Sequence, residues 1–159
     1  ALRPVALAPT IAAVQELLGW RLRQAGAGLI VELDDPDLTV TAGAVRLQQV
    51  LVNLLTNALD ATADAADRRL HLQARRVAGG LVELRLGDRG PGVPAQLRER
   101  IFDPFFSTKE VGKGLGLGLS ISYNIVSDFG GALELCDRPG GGAEFVVRLH
   151  EADREGEGT

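Results

Sequence analysis

Across residues 10–25 the apolar side chains Ile11, Val14, Leu17, Leu18 and Leu22 recur three or four positions apart, the period of an amphipathic helix, with Thr10 as its expected N-cap and Gly26 as its stop. Residues 29–33 form a short apolar run that reads as a strand. The helical period returns over 44–63, where Leu47, Val50, Leu51, Leu54, Leu55, Ala58 and Thr62 share one face and Arg46, Gln49, Asn53, Asn57, Asp60 and Asp64 the other. It then shortens to two over 70–77 and 81–86, split by Gly79-Gly80, which predicts a hairpin. A short helix over 94–101, a helix over 118–129 and two last strands over 132–135 and 144–150 complete the order. These elements predict an antiparallel or mixed sheet with helices on one face.

Residues 151–159 are Glu/Gly-rich without apolar periodicity and read as a frayed tail, so a single domain is expected over 1–150. At 159 residues, 45% hydrophobic and with a formal charge of -4, the chain has material for one ordinary core and no polycationic surface. That argues against a nucleic-acid partner and for a small soluble intracellular enzyme or binding domain. No apolar stretch approaches the roughly 18 residues of a membrane span, and no basic and apolar leader opens the chain. The lone Cys136 excludes an internal disulfide and, with only two distant histidines, a closed zinc site, so any metal is expected on oxygen ligands. Cys136, His71 and His150 each fall in an apolar or alternating stretch and are expected to be ordinary strand residues.

Chemistry concentrates in residues 105–120, Phe-Phe-Ser-Thr-Lys-Glu-Val-Gly-Lys-Gly-Leu-Gly-Leu-Gly-Leu-Ser. Gly112, Gly114, Gly116 and Gly118 expose a run of backbone N–H groups ahead of a helix, an arrangement that holds phosphate. The chain's two lysines, Lys109 and Lys113, both lie here, while arginines supply every other basic charge. A flexible linker is the plain alternative, but linkers are Gly/Ser-rich and this run alternates Gly with Leu behind a Phe pair. The spacing matches neither GxxxxGK[ST] nor a GxGxxG that follows a strand.

The polar face of the long helix reads either as ordinary solvated surface or as a ligand-bearing face. Two asparagines one turn apart cost about 1 kcal/mol against alanine, an expense that function explains. An amide oxygen suits Mg²⁺, which keeps several waters and takes other ligands from substrate phosphates. Asp88-Arg89-Gly90-Pro91-Gly92 leaves the strand over 81–86 either as a plain turn or as a carboxylate presented to an exocyclic amine such as adenine's, with Gly90 and Gly92 letting the ring approach the backbone.

Residues 53–61, 88–92, 102–109 and 112–118 stand in the order and spacing of the N, G1, F and G2 boxes. The chain therefore resembles the catalytic ATP-binding (HATPase) domain of bacterial sensor histidine kinases, in the superfamily shared with gyrase, Hsp90 and MutL. Phe-Asp-Pro-Phe-Phe-Ser-Thr-Lys and the Gly-Leu-Ser-Ile-Ser-Tyr-Asn-Ile-Val after the glycines look most like the nitrogen-regulatory and C4-dicarboxylate sensor branch. The resemblance implies an α/β (α+β) two-layer sandwich of the Bergerat type, a mixed, largely antiparallel sheet covered on one face by about three helices. It also implies ATP and Mg²⁺ as ligands, and a lid over 102–116. Asn57 matches the Mg²⁺ ligand and Asp88 the adenine reader. The implied nucleotide-binding set adds Ala61, Gly90, Gly92, Val93, Phe102, Thr108, Gly112, Gly114, Leu115, Gly116, Leu117 and Gly118, with Lys109 or Lys113 near the γ-phosphate. Lys109 and Asn53 are the implied catalytic positions. Asn53 stands where gyrase-like and Hsp90-like relatives carry a water-activating Glu, and an amide is no base, which favours transfer over hydrolysis.

Two positions depart from the family pattern: Asp60 replaces a basic residue three after Asn57, and Ala143 replaces a Thr that supports the adenine. Neither histidine resembles a phosphoacceptor, so the nucleophile is expected on a dimerisation hairpin elsewhere in a parent protein. A response-regulator receiver domain is the expected downstream partner. A monomeric isolated domain, a homodimeric parent, and a cytoplasmic location with the parent anchored in the inner membrane complete the expectation. The alternatives are a serine kinase and anti-sigma factor of the same superfamily, or a non-catalytic nucleotide-gated module.

Overall fold

The structure, a computed structural model, describes residues 2–103 and 117–152. Strand β1 (Arg3–Ala6) runs straight into helix α1 (Leu7–Gln24), followed by β2 (Gly28–Leu33), β3 (Thr39–Ala42), α2 (Ala44–Ala61), β4 (Arg69–Val77) and β5 (Leu81–Gly87). Two 3₁₀ turns (Ala95–Leu97 and Arg100–Phe102), helix α3 (Leu117–Asp128) and strands β6 (Ala132–Asp137) and β7 (Ala143–His150) complete the described chain. The main sheet has the order β2-β4-β5-β7-β6. Only the β2–β4 pair is parallel, as the crossover through α2 requires, and the other three pairs are antiparallel. Strands β1 and β3 form a separate antiparallel ribbon. This is the expected two-layer α+β sandwich, a mixed, largely antiparallel sheet with three α-helices among the described residues. No helix of the described residues is long and apolar enough to cross a membrane.

Helix α2 lies at the centre of the core. Leu47, Val50, Leu51 and Leu54 are 0% exposed, and Leu55 and Ala58 are 1% exposed. Each such leucine contributes about 1.5–3 kcal/mol of burial. Helix α1 adds Leu7, Ile11, Val14 and Leu18, and α3 adds Ile125 and Val126. The apolar pattern over-counted once: Leu17 is 64% exposed, because it precedes Leu18 by one position and is swung about 100° around the helix, off the stripe. It under-counted at Leu59, which is buried beside Ala58.

Other departures have local causes. Thr10 is not an N-cap. Helix α1 begins three residues earlier because the Leu38 carbonyl, 2.9 Å away, receives the Leu7 N–H, and Thr10 Oγ1 instead donates to the Ala6 carbonyl at 2.8 Å. The expected helix over 94–101 is two 3₁₀ turns, closed by i→i+3 bonds from Leu97 to Pro94 and from Asp103 to Arg100. Strands β1 and β3 were not expected; each has four residues, too few to show alternation. Pairing continues past His150: Glu151 N–H donates to the Gly80 carbonyl and Ala152 N–H to that of Thr39, both at 2.9 Å. Ordered structure thus reaches Ala152, two residues beyond the expected boundary, and 153–159 lie outside the described residues.

His71, His150 and Cys136 are strand residues, as expected. Burial, with the charges of Arg138, Arg69 and Arg89, pushes the His71 imidazole below its usual pKa, and burial pushes the Cys136 thiol up.

The sheet face turned away from the helices is closed by charge. Glu83 is 4% exposed and receives Arg85 Nε at 2.6 Å, Arg148 Nε at 3.1 Å and Arg75 Nη2 at 3.4 Å. Arg85 reaches on to Glu144 and Arg148 to Glu134, and Val146, in register between Arg85 and Glu134, is 0% exposed. Burial alone raises the Glu83 pKa, but the bonds and charges of Arg85 and Arg148 outweigh it and leave the carboxyl below its usual range. A depressed carboxyl stabilises the fold above its unfolded pKa, and that stabilisation is lost as pH falls through its folded pKa. Glu83→Gln should therefore cost about 1–2 kcal/mol at pH 7, less than a fully buried pair because the arginines rehydrate. Urea unfolding of both proteins from pH 7 to pH 2 should show the gap closing only below the ordinary glutamate range.

Candidate functional site

The polar face of α2 is the base of the site, and two other segments meet it. At its C-terminal end a Cβ placed on Gly90 would lie 2.5 Å from the Ala61 carbonyl, so the turn after β5 rests directly on the last turn of α2. Gly90 is therefore required by the chain's own packing. Gly92 has φ +78, a left-handed conformation that favours glycine, and faces the Gly142 carbonyl. Val93 follows, packed against the core.

Asp88 is 2% exposed. Its Oδ1 accepts the Gly90 N–H at 2.8 Å and the Ala143 N–H at 3.4 Å, while its own N–H donates to the Ala143 carbonyl at 3.0 Å. Ala143, which lacks the hydroxyl of the family's Thr, thus serves through its backbone, a contribution that side-chain reading had no way to register. Among the described residues no donor reaches Oδ2, which leaves that oxygen to accept from outside. Burial raises the Asp88 pKa, opposed by the two N–H groups and by the charges of Arg138 and Arg89.

Asn57 and Asn53 occupy successive turns of α2. Asn57 Nδ2 donates to the Asn53 carbonyl at 3.0 Å, which engages the amide nitrogen and leaves the amide oxygen to other partners. Asn53 Nδ2 points the other way, to the Gly118 carbonyl at 3.5 Å and to Ser122 Oγ at 3.4 Å, and so ties α2 to the first turn of α3. Ser122 is 0% exposed and was not singled out in the sequence; its place four residues after Gly118, on the same helix face, is the signal that points to it. Among the described residues no group of three or more His, Cys, Asp or Glu could hold a metal.

Phe102 is half-buried: its ring lies 5.3 Å from that of Tyr123 on α3 and 6.4 Å, edge-on, from Phe145 on β7. Of the expected ligand residues, Asn53, Asn57, Ala61, Asp88, Gly90 and Gly118 are gathered along α2, with Gly92 and Val93 beside them. Phe102 stands on the α3 side, and the backbone of Leu117 opens α3. Thr108, Lys109, Gly112, Lys113, Gly114, Leu115 and Gly116, and most of the expected lid, lie outside the described residues.

The model of the family described as histidine kinase-, DNA gyrase B-, and HSP90-like ATPase matches residues 42–153. The C4-dicarboxylate transport sensor protein DctB of Rhizobium meliloti is 44% identical over 138 residues, 86% of this chain but 22% of its own length. The chain spans under a quarter of such curated relatives, and DctB lies in the sensor branch that the motifs resemble. The catalytic domain of histidine kinase ThkA, nucleotide-free, superposes with a TM-score of 0.83 at 31% identity, covering 95% of this chain and 96% of that domain. ThkA in complex with the response regulator protein TrrA matches with a TM-score of 0.80 at 29% identity, over 98% of this chain and 43% of that one. Full-length ShkA in complex with AMPPNP matches with a TM-score of 0.82 at 33% identity, over 96% of this chain and 31% of that one. By matched span, identity and whole-domain superposition, this chain belongs to the histidine kinase-, DNA gyrase B- and HSP90-like ATPase family, as a histidine kinase catalytic domain.

Proposed function

We propose that this domain binds Mg²⁺-ATP and passes the γ-phosphoryl group to a histidine on a dimerisation hairpin outside the chain, in two-component signalling. The observation that carries this reading is the buried carboxylate of Asp88, engaged through one oxygen, in a turn that rests on the last turn of the helix whose polar face carries Asn57. Oδ2 of Asp88 accepts the adenine amine, and the rigid turn around it rejects bases that lack one. Asn57 Oδ1 would be the protein ligand to Mg²⁺, which would supply positive charge to offset that of the triphosphate. The N–H groups of Gly112, Gly114, Gly116 and Gly118, with Lys109 or Lys113, hold the phosphates. Asn53 is placed to orient α3 against α2 and offers no base, so bound water is left unactivated and the phosphoryl group waits for a better nucleophile.

The acceptor hairpin, the homodimeric parent, the receiver-domain partner and the cytoplasmic location beside a membrane anchor belong to the same proposal. The greater length of the relatives supports a parent with further domains, and the ThkA–TrrA complex supports the receiver-domain partner.

Incubated with labelled ATP, the domain alone should stay unlabelled, while a supplied phosphoacceptor hairpin should gain an acid-labile, base-stable phosphate. Base-labile, acid-stable label would mark a serine kinase, and no label a non-catalytic module. In titration calorimetry Asp88→Ala should lower ATP affinity by about a hundredfold or more, since it removes the one buried acceptor for the base. Asn57→Ala should instead erase the difference between titrations with and without Mg²⁺. Because burial raises the Asp88 pKa, its ionised form costs the fold stability above that pKa and the cost is relieved on acidification. Asp88→Asn should therefore raise the thermal midpoint at pH 7 while weakening ATP binding, and ATP affinity of the parent sequence should fall on acidification from a pH above the ordinary aspartate range.

A further inference from the structure

The turn that carries Asp88 and the turn between β6 and β7 hold each other through two crossed guanidinium groups. Arg89 Nη1 donates to the carbonyls of Pro139 at 2.7 Å and Gly141 at 2.8 Å. In the opposite direction Arg138 Nη1 donates to the Asp88 carbonyl at 3.2 Å, its side chain lying across Gly87, where an added Cβ would come within 2.9 Å of Nε. Backbone bonds knit the second turn itself, from Arg138 N–H to Gly142 at 3.1 Å and from Gly141 N–H to Arg138 at 3.0 Å. The fit admits no side chain at Gly142, where a Cβ would strike the Asp88 carbonyl.

Among the described residues neither arginine forms an ion pair with a carboxylate; Asp137, next to Arg138, is taken by Arg98 at 2.6 Å. Burial and the charge of Arg89 push the Arg138 pKa down, against the opposing charges of Glu144, Asp88 and Asp67. What the two turns achieve is geometric: the bonds to Asp88, Gly141 and Gly142 end on carbonyls within two residues of the Asp88–Ala143 contact. On the Ala143 side that contact is made by backbone alone, since position 143 has no hydroxyl.

We infer that Arg89 and Arg138 are positioning residues that clamp the β6–β7 turn over Asp88, hold the Ala143 N–H on Oδ1 and thereby keep Oδ2 aimed at the base. The inference rests on the reading of Asp88 as the acceptor for the adenine amine. It predicts an effect on base selectivity, which general loosening of the fold would not produce.

The test compares ATP with inosine triphosphate, which has no exocyclic amine, on the parent sequence, Arg89→Ala, Arg138→Ala and the double variant, by calorimetry. The ATP-to-inosine-triphosphate affinity ratio should fall roughly tenfold in each single variant, the scale of one misdirected hydrogen bond, with inosine triphosphate affinity nearly constant. Arg89→Lys, which keeps a cation able to reach one carbonyl, should restore part of the ratio. Hydrogen exchange at the Ala143 and Gly90 amides should quicken in the single variants, and this readout stands if the double variant does not fold. An unchanged ratio, equal loss of both nucleotides, or unchanged exchange at Ala143 would overturn the clamp. Asp88→Ala with an unaltered ratio would overturn the reading of the pocket instead, and the Ala143 exchange would still decide whether the clamp exists.

Discussion

A carboxylate that is 2% exposed must be given donors, and the arrangement around Asp88 is governed by that requirement. One donor comes from its own turn, at Gly90, and the other from Ala143, a residue 55 positions away that arrives only because β7 pairs with β5. Both land on the same oxygen, so the group is held firmly and still has an unused acceptor. An arrangement with every lone pair satisfied internally would be more stable and would bind nothing; one with fewer donors would raise the carboxyl pKa further and surrender its charge. The incomplete satisfaction of Asp88 is thus itself a sign of function.

Helix α2 serves two environments at once. Its leucine stripe fixes the helix against β4 and β5 with no freedom to rotate, and that in turn fixes the direction of Asn53 and Asn57. The two amides then divide their work by their own hydrogen bonds, Asn53 toward α3 and Asn57 toward Asn53. Substituting one amide for the other would not be neutral, because each is oriented by a different neighbour. The C-terminal end of the same helix presses on Gly90, so the core packing, the Asn57 amide and the Asp88 carboxylate form one continuous body.

The opposite face of the sheet shows how the fold stops at two layers. Instead of a second helical layer, Glu83 and its three arginines spread over the strands, with Val146 buried in register between Arg85 and Glu134. The same strands carry leucines inward and ionic groups outward, the alternation that an antiparallel sheet with one solvated face requires.

Periodicity alone located α2, the β4–β5 hairpin, α3 and the last two strands to within a few residues, because those segments repeat an apolar spacing over enough turns or alternations to be distinctive. The order of four short motifs, read with them, was sufficient to name the family and to nominate Asn57 and Asp88. What local pattern did not contain is whatever depends on a distant partner. Helix α1 starts at Leu7 because Leu38 satisfies its first N–H, β1 and β3 exist because they pair across 35 or so residues, and Leu17 is exposed by helix geometry despite its hydrophobicity. The sharper omissions lie at the site: the Ala143 N–H, the Ser122 hydroxyl and the crossed Arg89 and Arg138. A backbone N–H is the same in every non-proline residue and an arginine in a turn looks like any solvated charge, so their roles come into being only when β6 and β7 close over the end of β5.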